Sequence, residues 1–427
     1  MIILGINAYH PDSSACLLIN GEIKVAIEEE RINRIKHWAG FPVLAITECL
    51  KNEKISIKDV DFVSINQNFY ANFLNKAKFI ICNKPNLSFY FNKFSSRINK
   101  KNILKTLENE MGSLKKSCKL IEVEHHKCHI ASAFYESPFE NSANVSIDGF
   151  GDFSSVSWGA ARNNKFTIDN RVLFPHSLGI FYEAFTQFLG FKNFGDEYKV
   201  MGLSCYGNIS EVSKVDKLIQ LRKNGEFKLN LDYFNHHKNK INYGWNNSSP
   251  KTDILFSKKI FELFGEPAKP EAKLTDYHKN IAASVQNVYE KAYFHILNHV
   301  YDQYKIDNLT ISGGCAQNSL ANGKITNNTK FKSIFIPSNP GDAGGAIGSA
   351  YVAWKKISNT TPKRTANAYL GLRYSNAEIE RLVTSSKKKL VSKNCSFFIQ
   401  NNEDILCQYV AEQISLGKIV GWFQGKM

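Results

Sequence analysis

The chain has 427 residues, of which 43% are hydrophobic and 22% are charged. At about 150 residues per domain, this length predicts two to three domains, and a chain of this size buries a large core without disulfides. The composition excludes a disordered chain, a collagen and a disulfide-stapled miniprotein.

The formal net charge is +15, from 54 basic and 39 acidic residues. An anionic partner such as nucleic acid, a membrane surface or a phosphorylated small molecule would explain this charge. An enrichment in Lys, Asn and Ile, as an AT-rich coding sequence produces, explains it more simply, because Lys far outnumbers Arg, the better bidentate phosphate ligand. We therefore expect no nucleic-acid partner and no membrane partner.

Nine cysteines are scattered along the chain without a CxxC pair, which is typical of a reducing compartment and disfavours both a disulfide framework and a cysteine zinc site. The first residues, MIILGINAYHPD, lack the basic start and the long apolar stretch of a signal peptide. No run of ~18 apolar residues predicts a transmembrane helix. The sequence therefore predicts a cytoplasmic protein.

A pattern of strand, polar loop, strand, turn and strand occurs twice. Its first copy has apolar runs at 2–6, 15–19 and 23–27, with the turn Asn20-Gly21 before the last run. Its second copy has runs at 143–147, 155–161 and 166–168, with a polar loop at 148–152. The repeat indicates a duplicated α/β unit, although two unrelated hairpins would give the same pattern. Two such units facing each other would place their loops on opposite walls of one cleft, as in the actin-like ATPases.

Helical spacing predicts helices over 41–52 and within 69–118, the second of which is basic and aromatic. Without a nucleic-acid signature, this second stretch is best interpreted as a solvated helical insertion. Asp276 is positioned to cap a core helix whose apolar residues lie on one face, at Ile281, Val285, Val288, Ala292 and Ile296. Residues 360–364 resemble a linker to a smaller C-terminal piece.

His125 and His129 are four residues apart after a predicted strand at 120–123. On a helix they share one face and can bind one cation, although this spacing is also common by chance. The Gly-rich turn at 337–348 contains Asp342, which could supply a third ligand or simply cap the following helix. The absence of a Glu at the metalloprotease position excludes HExxH chemistry.

A second strand followed by a Gly-rich loop, at 309–318, ends in Asn318, whose amide can both donate and accept a hydrogen bond. Two such loops about 30 residues apart suit a nucleotide cleft, because glycine lets a phosphate approach the backbone. In the first loop, His10 is a candidate base near Asp12, or a loop histidine without a partner.

Eight segments in order resemble the nodulation-protein/cephalosporin O-carbamoyltransferase family. They are LGINAYHPDSSACLL, EEERINRIKH, HHKCHIASAF, SIDGFGD, SLGIFYEAFTQFLGF, GDEYKVMGLSCYG, ISGGCAQNSLANGKI and PSNPGDAGGAIGSA. The resemblance implies a duplicated actin-like (ribonuclease H-like) α/β fold over 1–358, akin to the universal tRNA threonylcarbamoyl transferase. It divides into halves at about 1–140 and 141–358. Residues 365–427 would begin a small C-terminal α+β domain of the YrdC-like type, with a strand at 419–423.

The resemblance also implies an ATP- and metal-dependent O-carbamoyltransferase. Carbamoyl phosphate would be activated to carbamoyl adenylate in the YrdC-like domain, and the carbamoyl group would pass to a hydroxyl of a small-molecule or glycan acceptor. The resemblance implies that His125, His129 and Asp342 bind a divalent metal, expected to be iron, and that Asp148, Asn318 and Asp342 contact the nucleotide. It also implies that His10 is a general base and that Asp12 and Lys36 line an acceptor pocket. A homodimer is a candidate assembly.

Two differences from the family pattern stand out. Pro11 separates His10 from Asp12, whereas family members often have His directly before Asp. The YrdC-like segment of the Glu-Phe-Gly-Pro-Arg type does not occur within the 427 residues. We therefore expect that donor activation does not occur within this chain, which would be a fragment, a truncated gene product or one half of a split enzyme whose YrdC-like domain is a separate chain. The alternatives are an actin-like ATPase or small-molecule kinase, and an inactive nucleotide-binding remnant.

Overall fold

A computed structural model describes residues 1–83, 102–238, 243–244, 248–365 and 367–427. By its internal contacts the chain divides into two compact units, Met1–Ala368 and Tyr369–Met427. Part of the predicted insertion, at 84–101, lies outside the described residues.

Fifteen strands are formed by the described residues, mostly as short apolar runs that end at polar or glycine-containing turns. They are β1 Ile2–Asn7, β2 Ser14–Ile19, β3 Glu22–Glu28, β4 Phe62–Ile65, β5 Lys119–Glu122, β6 Ser142–Gly151, β7 Ser154–Arg162, β8 Lys165–Phe166, β9 Asn170–Leu173, β10 Ile219–Leu221, β11 Phe227–Leu229, β12 Tyr243–Gly244, β13 Lys251–Thr252, β14 Asn308–Ser312 and β15 Ser333–Phe335.

Two sheets of the larger unit share one topology. The first has the order β3-β2-β1-β4-β5, in which β1 pairs antiparallel with β2 and parallel with β4. The second has the order β15-β14-β6-β7, with β8 and β9 both on the far side of β7, and β6 pairs antiparallel with β7 and parallel with β14. The same order of antiparallel and parallel partners in both sheets confirms the predicted duplicated actin-like α/β fold.

The α-helices range from one turn to eight turns, and the longest ones cover the sheets. They are Glu30–Asn33, Val43–Asn52, Phe73–Asn83, Ile103–Met111, His125–Glu136, Leu178–Phe188, Glu197–Ser204, Val212–Val215, Phe261–Phe264, Asp276–Tyr304, Ser319–Asn322, Ile325–Asn328, Gly344–Ser358, Asn376–Ser385, Lys387–Ser392 and Glu403–Ser415. Among the described residues, no helix is both long and apolar enough to cross a membrane.

The helices His125–Glu136 and Gly344–Ser358 pack closely against each other. Glycine permits this approach, because a Cβ at Gly348 would lie 1.9 Å from the carbonyl oxygen of Cys128. The second helix also lies on the first sheet, where a Cβ at Gly5 would lie 2.3 Å from the Ala346 carbonyl oxygen. The chain therefore returns, late in the sequence, from the second sheet to the first.

The predicted core helix forms as Asp276–Tyr304, and its five predicted apolar residues are all buried. Its N-cap is Thr275 rather than Asp276, because Thr275 makes a capping box with His278. Asp276 instead lies in the first turn, where a carboxylate interacts favourably with the helix dipole.

The smaller unit contains the last three helices. Its two ends are joined by a hydrogen bond from the backbone N–H of Met427 to the carbonyl oxygen of Leu372. The prediction of a strand at 419–423 is wrong. Within the described residues of this unit the segment pairs with no other strand, and an extended segment becomes a strand only when a partner satisfies its backbone groups.

Candidate active site

Two histidines of one helix point their rings at the same place. His125 is the first residue of the helix His125–Glu136, whose N-cap Glu124 accepts hydrogen bonds from the backbone of His126 and Lys127. One turn later His129 follows on the same face, and the Nε2 atoms of His125 and His129 lie 2.9 Å apart. Both side chains are buried. His126 points elsewhere, to Ser146 and Ser154.

Two carboxylates complete this cluster from the second half of the chain. Asp148 lies within β6, and its Oδ2 is 3.1 Å from Nε2 of His125 and 3.6 Å from Nε2 of His129. Asp342 precedes the helix Gly344–Ser358, and its Oδ1 is 3.3 Å and 3.5 Å from the same two nitrogens. These four residues are a candidate site for a metal ion, and we call His125, His129, Asp148 and Asp342 the metal cluster.

The geometry of the metal cluster fits a bound divalent ion. One ligand atom from each residue lies within 4.8 Å of every other. Ligands bonded at about 2.0–2.2 Å lie about 2.8–3.6 Å apart in tetrahedral or octahedral sites, which is the range of the measured nitrogen–oxygen distances. The outer Nδ1 atoms of both histidines are buried without a hydrogen-bond partner among the described residues. Two imidazoles and two carboxylates suit iron, zinc or manganese.

The electrostatics of the cluster also favour a cation. Burial disfavours the charged form of His125, but the hydrogen bonds to Asp148 and Asp342 outweigh it and raise the pKa of His125 well above its ordinary value. Burial likewise disfavours a charged Asp342, yet its histidine neighbours hold the pKa of Asp342 well below the ordinary value. The carboxylates therefore stay ionised at neutral pH and attract positive charge, whether protons on the imidazoles or a metal ion.

His10 lies against this cluster from the first loop. Its Nδ1 is 3.6 Å from Oδ2 of Asp342, and its ring stacks on that of His125 with centroids 5.3 Å apart. The imidazole is four-fifths buried. The structure therefore brings the predicted base next to the predicted metal ligands, with one carboxylate between them. The alternative that Asp342 caps the following helix does not hold, because Ala343 occupies the N-cap position and makes no side-chain cap.

Asp12, which was predicted to line an acceptor pocket with Lys36, contacts His37, the residue that follows Lys36. His37 donates from Nδ1 to Oδ1 of Asp12 at 2.7 Å, and its backbone N–H donates to Glu30. Burial disfavours a charged His37, but the hydrogen bond to Asp12 outweighs it and raises the pKa of His37. Lys36 is exposed and lies over the ring of Tyr198, 5.1 Å from its centroid. From the sequence, His37 is part of a charged stretch that could form a solvated edge or a polar substrate wall, and its contact with Asp12 has no sequence signal.

Asn318 is held in a network within the protein. Its amide exchanges two hydrogen bonds with the amide of Gln286, both at 3.0 Å, and its Oδ1 also caps Ala321. Gln286 in turn accepts from Tyr182 and donates to Glu290. The side-chain amide of Asn318 is therefore already paired within the protein. Its contact with a nucleotide stays a prediction.

The two oxygens of Asp148 make different contacts. Its Oδ1 accepts a hydrogen bond from the backbone of Gly314 at 2.8 Å, and its Oδ2 faces the two histidines. The first contact ties it to the Gly-rich loop after β14, where we expect the nucleotide. The second makes it a fourth candidate metal ligand, which sequence reasoning missed. The duplicated pattern contained the signal, because Asp148 directly follows the strand run of the second copy.

The comparison with family models decides the family. The model described as "Carbamoyltransferase N-terminus" matches residues 2–351. The chain belongs to this family. The resemblance drawn from the eight segments is thereby confirmed, and so is its assignment to the carbamoyltransferases.

The relatives of this carbamoyltransferase-family chain include longer proteins. An uncharacterized protein of Synechocystis sp. is 36% identical over all of this chain and 68% of its own length. Nodulation protein NolNO of Sinorhizobium fredii is 29% identical over 98% of this chain, and NolO of Bradyrhizobium diazoefficiens is 30% identical over 71%. The chain spans about half the length of these two nodulation proteins, 56% and 50%.

Solved structures with a similar fold include component A of the (R)-2-hydroxyglutaryl-CoA dehydratase of Acidaminococcus fermentans. It is 14% identical, with a TM-score of 0.42 over 84% of this chain and 99% of that chain. HypF of T. kodakarensis is 13% identical, with a TM-score of 0.40 over 84% of this chain and 48% of that chain.

Proposed function

We propose that this chain carries the acceptor-transfer site of an ATP- and divalent-metal-dependent O-carbamoyltransferase. The carbamoyl group would come from carbamoyl phosphate through carbamoyl adenylate and pass to a hydroxyl of a sugar-like or secondary-metabolite acceptor. The observation that supports it most is the metal cluster with His10 against it, in a chain of the carbamoyltransferase N-terminus family.

The donor would lie in the cleft between the two sheets. The Gly-rich loop after β14 and the start of the helix Gly344–Ser358 would lie against the phosphate of the adenylate, because glycine lets a phosphate approach the backbone closely. The hydrogen bond from Gly314 to Asp148 joins the first of these loops to the metal cluster. A bound divalent ion, held by His125, His129 and Asp342 with Asp148, would supply Lewis-acid polarisation of the carbamoyl or phosphoryl oxygen, worth several kcal/mol.

His10 would act as the general base. The acceptor hydroxyl gives its proton to Nε2 of His10, its oxygen bonds to the carbamoyl carbon, and the bond from that carbon to the phosphate oxygen breaks, so that AMP leaves with the electron pair. Asp342 Oδ2, 3.6 Å from Nδ1 of His10, stabilises the imidazolium that forms. A positioned base of this kind contributes about 10²–10⁴-fold.

The acceptor would enter beside the first loop, where Asp12 and Lys36 flank His37. These groups offer a carboxylate, an ammonium and an imidazolium within one short stretch of surface, which suits a polyhydroxylated ligand. Asp12 is held by His37 with its Oδ1, so its other oxygen is directed to the acceptor in this proposal.

Product mass tests the proposal. The chain is incubated with Fe²⁺ and a panel of sugar and aminosugar acceptors while a separate carbamoyl-adenylate-forming domain, carbamoyl phosphate and ATP supply the donor. A carbamoylated acceptor gains about 43 Da, whereas a kinase product gains about 80 Da. Carbamoylation that requires this chain supports the proposal. A gain of about 80 Da, or ATP hydrolysis without any transfer, contradicts it.

A further inference from the structure

Asp152 lies in the turn between β6 and β7 and reaches across to the first half of the chain. Its Oδ2 accepts two backbone hydrogen bonds, one from Asn68 just after β4 and one from His125, each 2.9 Å long. Its own carbonyl oxygen accepts from the side chain of Asn72, also at 2.9 Å. One side chain of the second sheet thus joins two segments of the first half.

The bond to His125 satisfies a helix end that would otherwise be incomplete. The N-cap Glu124 takes the N–H groups of His126 and Lys127, and Asp152 takes that of His125, so the first three N–H groups of the helix all have partners. A carboxylate at this end also interacts favourably with the helix dipole. Asp152 therefore helps to fix the start of the helix at His125, which is the first of the two histidines proposed to bind the metal.

The last residue of β6, directly before Asp152, contacts the His125 ring. A Cβ at Gly151 would lie 1.9 Å from Cδ2 of His125, so the glycine backbone rests on the imidazole. The ring also stacks on that of His10, at 5.3 Å. Gly151 at the end of β6 thus fixes the ring of His125, and Asp152 in the turn that follows fixes its backbone.

The backbone conformation of Asp152 also favours an aspartate or asparagine at this position. Its φ is 48°, in the left-handed region that Asp and Asn adopt more readily than other residues with a side chain. Asparagine at this position keeps an acceptor oxygen and adopts that conformation readily, whereas alanine lacks the acceptor and adopts the conformation less readily. The pair of variants therefore separates the hydrogen bonds from the charge.

We propose that Asp152 is a positioning residue for the metal cluster, which sets metal affinity by fixing His125 from the opposite half of the molecule. This inference rests on the metal site of the proposed function. Removing a group that orients a ligand typically weakens metal binding about 10–100-fold. Asp152→Ala should therefore weaken metal binding by that factor, and Asp152→Asn should largely restore it.

The test measures Co²⁺ binding to the full chain by calorimetry, together with the visible absorption of the bound Co²⁺ and the melting temperature of the metal-free protein. Asp61→Ala is the matched control, because Asp61 also accepts a backbone hydrogen bond, from Ile2 at the far end of β1. We expect Asp152→Ala to lower Co²⁺ affinity and to change the absorption spectrum, Asp152→Asn to resemble wild type, and Asp61→Ala to leave both unchanged.

Wild-type affinity and spectrum in Asp152→Ala would overturn the inference, as would an equal loss of affinity in Asp61→Ala. If Asp152→Ala does not fold, Asp152→Glu decides, since it keeps the charge but displaces the acceptor by one methylene: weakened binding supports the inference and unchanged binding contradicts it. A wild-type chain that binds no Co²⁺ would refute the metal site of the proposed function itself.

Discussion

Asp342 lies between His10 and His125 and serves both through different oxygens. Its Oδ2 is 3.6 Å from Nδ1 of His10, and its Oδ1 is 3.3 Å from Nε2 of His125. One carboxylate therefore links the proposed base to the proposed metal ligands, and changing it should affect metal binding and proton transfer together.

Asp342→Asn should weaken Co²⁺ or Fe²⁺ binding at least about 10-fold, because an amide replaces an anionic ligand beside two imidazoles. Anaerobic titration calorimetry measures the change. Asp307→Asn is the control, since Asp307 forms an exposed ion pair with Lys332 on the surface. Equal metal affinity in the Asp342 and Asp307 variants would argue against Asp342 as a ligand.

His10→Ala should separate catalysis from metal binding. Because His10 contacts the cluster through Asp342 and ring stacking and is not itself a proposed metal ligand, metal affinity should change little, while the rate of carbamoyl transfer should fall by about 10²–10⁴-fold. Transfer kinetics and calorimetry on the same preparation measure both quantities. Loss of metal with no change in the rate per metal-loaded molecule would assign His10 to the metal site instead.

Asp12→Asn should lower the pKa of His37. The carboxylate at 2.7 Å outweighs the burial of the imidazole and the charge of Lys36, while Glu30 helps to raise the pKa. Because the folded-state pKa of His37 is raised, the ion pair stabilises the first loop at low pH, and this contribution is lost as the pH rises through the raised pKa.

Histidine proton resonances followed against pH measure this pKa, with the His37→Gln variant providing the assignment. An unchanged His37 pKa in Asp12→Asn would show that another group holds the imidazole charged. Glu30→Gln serves as the comparison, since Glu30 accepts from the backbone of His37 and should affect the pKa less.

The sequence predicts the first three strands and the duplication well, since the apolar runs and the turn Asn20-Gly21 depend on local patterning, but it did not predict β4. The predicted loop at 148–152 is less accurate, because β6 continues to Gly151 and the turn follows it. The third strand of the second copy divides into β8 and β9, which pair with different parts of β7. Such details depend on pairing between distant segments, which a local pattern does not contain.

In the candidate site, too, local features were predictable and contacts between distant segments were not. The spacing of His125 and His129 predicts their shared face, because helical periodicity is local. The contact between Gln286 and Asn318, the ion pair of Asp12 with His37 and the position of Asp148 beside the histidines depend on how the two halves pack. The roles assigned to these residues stay predictions until the variants are measured.

Gly348→Ala should destabilise the larger unit. A Cβ there would lie 1.9 Å from the backbone carbonyl of Cys128, so the helix His125–Glu136 and the helix Gly344–Ser358 would have to separate, at a cost of about 1–3 kcal/mol or more. Gly202→Ala is the matched control, because it lies in a helix with open space around it and should stabilise by about 0.5–1 kcal/mol. Thermal unfolding of both variants measures the difference, and similar melting temperatures would contradict the close helix contact.

The most direct test of the account is a crystal structure of the Co²⁺-loaded chain with anomalous diffraction data. We predict one anomalous peak in the metal cluster, about 2.0–2.2 Å from the Nε2 atoms of His125 and His129 and from an oxygen of Asp342. A cobalt peak bound elsewhere, or a loaded crystal in which these three side chains hold no ion, would contradict the account.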